Sequence, residues 1–183
     1  NVAIGHLALT ALNYDGAGYN IAIGYEAGKS ISTGTNNVIV GGLAGDALTT
    51  GQYNVAIGGN ALSAEDAHSY NTAVGYNALR LQNAGADAYN VALGYNAGEN
   101  ISTGTSNVLL GSQAGDALTT GSHNVAVGRG ALGGEDAHGK NVAVGHEALN
   151  AQNAGADARN VAIGYEAGHD VTTGIKNVLV GNS

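Results

Sequence analysis

Hydrophobic and polar positions repeat along the whole chain. A pentapeptide of the form Asn-Val-Ala-Ile-Gly, with conservative changes, begins at residues 1, 20, 37, 54, 71, 90, 107, 124, 141, 160 and 177. Successive copies follow one another at a shorter or a longer interval, and the order of these intervals begins again at residues 71 and 141. Such internal periodicity is typical of architectures in which each repeat is one layer of a stack. We therefore predict a single repeat array over residues 1–183, with super-repeats at 1–70 and 71–140 and a partial one at 141–183.

The pentapeptide has the alternation of a β-strand. Counting from its Asn as position 1, positions 2 and 4 are apolar in every copy except at Thr72, and position 5 is always Gly. An apolar period of two indicates a strand. A second, weaker strand is predicted further along the repeat, around Ile31, Leu48, Ile101, Leu118 and Val171. Two short strands per 17–19-residue coil predict an all-β fold, a parallel β-solenoid of about eleven coils. With coils about 4.8 Å apart, the rod would be about 48 Å long.

The same alternation predicts which side chains face inward. We assign positions 2 and 4 to the coil core, namely Val2, Ile4, Val55, Ile57, Val91, Leu93, Val108 and Leu110. Position 3 then faces the other way, and its small side chains suit close packing against identical chains about a symmetry axis. The residues predicted at the axis of a trimer are Ala22, Ile39, Ala56, Ala92, Leu109, Ala126 and Leu179. A monomeric solenoid is the alternative, although a thin core of small side chains would stabilise it only marginally.

The repeated phrase resembles a known family. Residues 90–98, Asn-Val-Ala-Leu-Gly-Tyr-Asn-Ala-Gly, are similar to the head repeats of trimeric autotransporter adhesins, and equally to repeats of phage tail fibres and related surface fibres. The resemblance implies a left-handed parallel β-roll in which three chains pack around one axis. It also implies an extracellular location, on a cell-surface appendage or a virion tail fibre, and a glycan or protein receptor on a host surface. The coils of this chain, such as those that begin at residues 1 and 20, are longer than those of the autotransporter family.

Composition and charge narrow the class of function. The chain has 31 Gly, no Pro, Cys, Met, Trp or Phe, and a net charge of −8. The acidic charge argues against nucleic acid as a partner, since phosphate binding needs the opposite sign. No apolar run approaches the roughly 20 residues of a membrane span, so we expect no membrane insertion by this segment. Because the sequence has no Met, we expect it to be a fragment of a longer fibre.

One cluster of potential metal ligands stands out. Glu65, Asp66 and His68 recur one super-repeat later as Glu135, Asp136 and His138. Carboxylates with an imidazole can hold a divalent cation. The alternative is a solvated turn, and we favour it, with acidic side chains on the outer turns and neither a metal nor another cofactor. No catalytic motif interrupts the repeat, so we do not expect an enzyme.

Tyrosines flank the pentapeptide on both sides. Tyr25, Tyr76, Tyr95 and Tyr165 follow the Gly of position 5 and form a candidate ligand face, whereas Tyr19, Tyr53, Tyr70 and Tyr89 precede the next Asn. Tyrosine offers rigid contact area to sugars or receptors, but we favour a Tyr stack that runs from coil to coil. Together these features predict a structural segment, a stalk or head, of a homotrimeric extracellular fibre or adhesin that mediates attachment. A phage tail-fibre shaft with a receptor-binding role is the alternative, and a glycan- or ice-binding solenoid ranks below both.

Overall fold

A computed structural model describes all residues 1–183 and contains eleven three-residue strands. All eleven form one parallel sheet in chain order, and each strand pairs in register with the next. The strands are β1 (Val2–Ile4), β2 (Ile21–Ile23), β3 (Val38–Val40), β4 (Val55–Ile57), β5 (Thr72–Val74), β6 (Val91–Leu93), β7 (Val108–Leu110), β8 (Val125–Val127), β9 (Val142–Val144), β10 (Val161–Ile163) and β11 (Val178–Val180). Because each strand lies one coil further along the rod, the predicted all-β parallel solenoid of about eleven coils is confirmed.

The second strand of each coil does not form. The segment around Ile31, and its equivalents in other coils, consists of bends and irregular backbone. It still bonds from coil to coil, since the Ser32 amide donates to the Thr49 carbonyl at 2.9 Å and the Ser102 amide to the Thr119 carbonyl at 2.9 Å. Isolated bonds of this kind hold the coils in register without the consecutive pairs that make a strand.

The predicted inner and outer faces of the strands are exchanged. The side chain at position 3 is buried in every strand from β2 to β10, whereas positions 2 and 4 are half-buried or exposed. Position 3 therefore fills the coil core, and the residues assigned to a trimer axis lie inside their own chain: Ala22, Ile39, Ala56, Ala92, Leu109, Ala126 and, half-buried in the last coil, Leu179. The residues assigned to the core point outward: Val2, Ile4, Val55, Ile57, Val91, Leu93, Val108 and Leu110.

The narrow interior explains this exchange. A second column of Ala, at position 8, is buried beside the position-3 column. Each coil also buries a large apolar side chain, which comes from position 9 in some coils and from position 12 in others. Leu62 and Leu79 illustrate the first case, and Ile31 and Leu48 the second, where position 9 is Gly. Two columns of β-branched side chains at positions 2 and 4 are too bulky for the same space.

The Gly of position 5 is required by the closeness of the coils. Gly94 has φ of +144°, and a Cβ built on it would lie 2.5 Å from the carbonyl oxygen of Gly111 in the next coil. Both the backbone conformation and the contact exclude a side chain. The same arrangement recurs along the column from Gly5 to Gly164.

The Asn of position 1 forms a ladder that runs the length of the rod. In each of the ten steps the Oδ1 atom of one Asn accepts the backbone N–H of the Asn in the next coil, as from Asn107 to Asn90 at 2.9 Å. The Nδ2 atom of Asn107 donates to the carbonyl of Gly121 in its own coil at 2.9 Å. Stacked Asn side chains thus link all coils and close most of them, which satisfies buried polar groups. The exceptions are the Nδ2 atoms of Asn71 and Asn141, which are buried without a partner in the longer coils.

Candidate functional site: the outward face of the sheet

The outward face of the sheet is an unbroken apolar surface. It consists of positions 2 and 4 of all eleven strands, and Thr72 is its only polar member. Large side chains on it are well exposed: Ile4 by 57%, Leu93 by 50% and Ile163 by 44%. No charged residue lies at positions 2 to 4 of any strand. A contiguous apolar face of this length on a single chain is typical of a surface that packs against another protein.

Aromatic columns follow both borders of this face. Before the strands, the rings of Tyr53, Tyr70 and Tyr89 stack with centroids 5.5 and 5.1 Å apart. After the strands, Tyr76 and Tyr95 stack at 5.9 Å. The predicted Tyr stack from coil to coil is therefore confirmed for these five residues.

The other two members of the candidate ligand face stack against histidines. Tyr25 lies 5.5 Å from His6, and Tyr165 lies 5.1 Å from His146. One face of each ring in Tyr25, Tyr76, Tyr95 and Tyr165 is thus covered by an aromatic neighbour. The arrangement leaves at most one face of each ring, together with its edges and hydroxyl group, for any ligand.

Toward the C-terminal end, the two borders carry opposite charges. Arg159 and Lys176 precede their strands, and Glu166 follows β10 on the opposite border. None of these three is within salt-bridge distance of an opposite charge in its own chain, whereas Lys140, one coil earlier, pairs with Asp157. Near the C-terminal end, one border thus has two unpaired positive charges and the other has one unpaired negative charge, while Arg129 and Glu147 on the second border pair with each other.

The Glu-Asp-His clusters are not the solvated turns predicted from the sequence. Glu65 and Glu135 are completely buried, although Asp66 and Asp136 are exposed. The Oε1 atom of Glu65 lies 2.7 Å from His68 Nδ1 and accepts the backbone N–H of His68 at 3.1 Å. Its Oε2 atom is buried without any partner, and so is that of Glu135. The expectation that acidic side chains lie on outer turns is wrong at these two positions, because position 12 points into the core.

A polar cavity lies beside the seventh to ninth coils. Its volume is about 260 Å³, and it is lined by Gln113, Asp116, Arg129, Gly130, Gly133, Gly134, Glu147 and Asn150. The charged groups of Arg129 and Glu147 already pair with each other at 2.8 Å. The three glycines approach Asn150 and Glu147 of the next coil closely, and no buried nucleophile lines the cavity.

Two carboxylates beside the core make stability depend on pH. Burial raises the pKa of Asp46 and of Asp116, and bonds from backbone amides only partly oppose this effect. When the folded pKa lies above the unfolded pKa, the group stabilises the fold at low pH and loses that contribution as pH rises through the folded value. The ionised side chains of Asp46 and Asp116 therefore destabilise the fold at neutral pH.

We expect Asp116→Asn to raise the melting temperature at pH 7, because the variant removes this cost. The advantage over the native chain should shrink as the pH falls below 3.8, the ordinary pKa of an aspartate, because the carboxyl then becomes protonated in both states. Thermal melts followed by circular dichroism at the two pH values measure both effects. Asp157→Asn is a control of opposite sign, because a bond from Lys140 lowers the pKa of Asp157. A drop in melting temperature for Asp116→Asn at pH 7 would show that the hydrogen bonds from backbone amides stabilise the ionised carboxylate more than burial destabilises it.

No helix capable of spanning a membrane is present in the chain.

Comparisons with protein-family models, with curated proteins and with solved structures find no significant match. The geometry of the chain itself must therefore carry any functional conclusion.

Proposed function

We propose that the chain is a structural segment, a stalk or head, of a homotrimeric extracellular fibre or adhesin that mediates attachment. The observation that carries the proposal is the outward face of the sheet, apolar and free of charge over eleven strands. In a lone chain this face would lie open to water, whereas three copies around one axis would cover it. The inversion of the strand faces changes which residues meet, so the contacts come from positions 2 and 4 instead of position 3.

A cyclic parallel arrangement also suits the charges at the borders. In a closed ring of identical chains, one border of each face meets the opposite border of its neighbour at the same height. Arg159 and Lys176 of one chain then approach Glu166 of the next. Charges at the rim of an interface fix its register more than its affinity. A face-to-face antiparallel dimer would instead bring each charged end against the Tyr columns of the other end.

The mechanism of such a segment is mechanical and multivalent. Parallel coils joined by the Asn ladder form a stiff spacer, and threefold symmetry would place any weak receptor site in triplicate, which raises avidity. The resemblance to autotransporter adhesin heads and to phage tail fibres suggests a host-surface glycan or protein as the receptor. The gene context distinguishes the two: a membrane-anchoring barrel downstream indicates an adhesin, and neighbouring virion genes indicate a tail fibre.

The assembly is tested by its mass. We expect multi-angle light scattering and native mass spectrometry of the purified chain to give about 54 kDa, three times 18.0 kDa. A fused trimeric coiled coil should raise the melting temperature, because it holds the three faces together at low concentration. A well-folded monomer whose melting temperature is unchanged by that fusion would contradict the trimer.

A further inference from the structure

We propose that the chain binds divalent first-row metal ions of the zinc type at two equivalent sites, Glu65–Asp66–His68 and Glu135–Asp136–His138. Each site lies within one chain, so zinc binding does not depend on trimer formation. The sequence predicted a solvated turn here, and only the folded chain buries the two glutamates.

The potential ligand atoms already converge. One carboxylate oxygen from Glu65, one from Asp66 and a ring nitrogen from His68 all lie within 4.8 Å of one another, and the second cluster shows the same convergence. The Nδ1 atom of His68 is 2.7 Å from Glu65 and 3.8 Å from Asp66, and that of His138 is 3.2 Å from Glu135. Ligands about 2.0–2.2 Å from a shared zinc ion are separated by about 3–3.5 Å. Small side-chain rotations would therefore complete three protein ligands around one ion.

The buried carboxylate is the second observation that points to a cation. Glu65 occupies position 12, where the preceding coil has Leu48 in its core. A buried carboxylate normally has its oxygens paired or bound to metal, because an unpaired buried charge is costly. Yet Oε2 of Glu65 and Oε2 of Glu135 have no partner at all. His68 and His138 contact only the Oε1 atom of each carboxylate, and an ion bound to the cluster would balance the remaining negative charge at both places.

The longer coils explain why the Glu-Asp-His clusters occur in the coils that directly precede residues 71 and 141. At position 15 most coils have Gly, and a Cβ on Gly51 would collide with the carbonyl oxygen of His68 and lie 2.6 Å from Leu48. His68 and His138 each precede one of the longer coils, which begins at residue 71 or 141. In the coil that begins at residue 71, the Nδ2 atom of Asn71 has no partner, whereas that of Asn54 donates to the position-15 carbonyl of its own coil. The backbone path of the longer coil therefore differs at this corner, which leaves room for a side chain.

The donor set selects the class of ion. One imidazole nitrogen with two carboxylates suits zinc and its first-row neighbours, whereas calcium prefers oxygen ligands alone. A third cluster, at His146, Glu147 and Glu166, differs in that the guanidinium of Arg129 already contacts His146 at 3.1 Å and Glu147 at 2.8 Å. It also lacks a counterpart one super-repeat earlier, where Tyr76, Asn77 and Asn96 stand.

Equilibrium dialysis of the tag-free chain against zinc chloride, followed by elemental analysis, tests the proposal. We expect two zinc ions per native chain. Glu65→Leu with His68→Gly should leave one ion, and adding Glu135→Leu with His138→Gly should leave none. These variants copy Leu48 and Gly51 of the neighbouring coil, so they retain a native-like core. His123→Tyr removes a histidine outside the clusters, copies the Tyr53 of its column, and should still bind two ions.

Two further measurements keep the test decisive. If the quadruple variant is unfolded by circular dichroism, Asp66→Asn with Asp136→Asn changes only exposed ligands and should weaken zinc binding at least tenfold. Zinc, but not calcium, should raise the melting temperature of the native chain, and a chelator should reverse the rise. Equal zinc binding by the native chain and the folded Glu, His or Asp variants of the two clusters, or no zinc binding by the native chain, would overturn the proposal.

Discussion

Gly94→Ala is expected to break the stack of coils between β6 and β7. The methyl group would lie 2.5 Å from the Gly111 carbonyl, in a backbone conformation at φ of +144° that residues with a side chain rarely adopt. The conformation alone costs about 1–3 kcal/mol, and separating the two coils removes sheet and Asn-ladder bonds as well. Because each coil of a repeat array contacts only its neighbours, the damage should divide the array into two cooperative units.

Hydrogen exchange and thermal melts measure this effect. Amides of β6 and β7 should lose protection, and the single melting transition should become two or move to a markedly lower temperature. Gly42→Ala is the matched control, because a Cβ there meets nothing within 4 Å, and its φ is ordinary. Gly181→Ala separates the two causes, since Gly181 has φ of +133° but no neighbour within 4 Å. If Gly94→Ala melted like Gly42→Ala, the close approach of the glycine column would be wrong.

Leu109→Asp and Leu93→Asp form a pair that should fail in different ways. Leu109 is completely buried, and its methyl groups fill space that Gly98 and Gly115 leave, where a Cβ would lie 2.6 and 2.8 Å away. Replacing it by Asp should cost more than the roughly 2–5 kcal/mol of a Leu→Ala change, since a charge is buried as well. Leu93 is 50% exposed on the outward face, so Leu93→Asp should leave the coil intact and dissociate the proposed trimer.

Circular dichroism and light scattering distinguish the two outcomes. Leu109→Asp should lose the native spectrum and melt far below the native chain, whatever its mass. Leu93→Asp should keep the spectrum at low temperature and appear as a monomer of about 18.0 kDa. Leu93→Thr, patterned on Thr72 at an outward position, is a milder version in case folding requires association. A melting temperature of Leu109→Asp equal to that of the native chain would contradict the inward orientation of position 3. An unchanged trimer mass for both Leu93 variants would exclude the outward face as the interface.

The sequence by itself determined the architecture. The recurrence of Asn and Gly at fixed positions, as at Asn90 and Gly94, marks places where a backbone must bond to or closely approach its copy in the next coil. Those requirements are local, so they appear in the sequence as a period one coil long. The stacking of tyrosines followed from the same period, because equivalent residues of consecutive coils must lie one strand spacing apart.

Only the tertiary structure decided which side of each strand is inside. Alternation separates positions 2 and 4 from position 3, but it is symmetric, and hydrophobicity favoured placing the larger side chains in the core. The volume of the interior reversed this choice, since a coil already filled by the Ala of position 8 and one large side chain admits only a small residue such as Ala92 in most strands. Leu109 fits because Gly98 and Gly115 make room for it. The same packing buries Glu65, whose neighbours in the chain look like those of a surface turn, and so its unpaired carboxylate oxygen is a property of the folded coil alone.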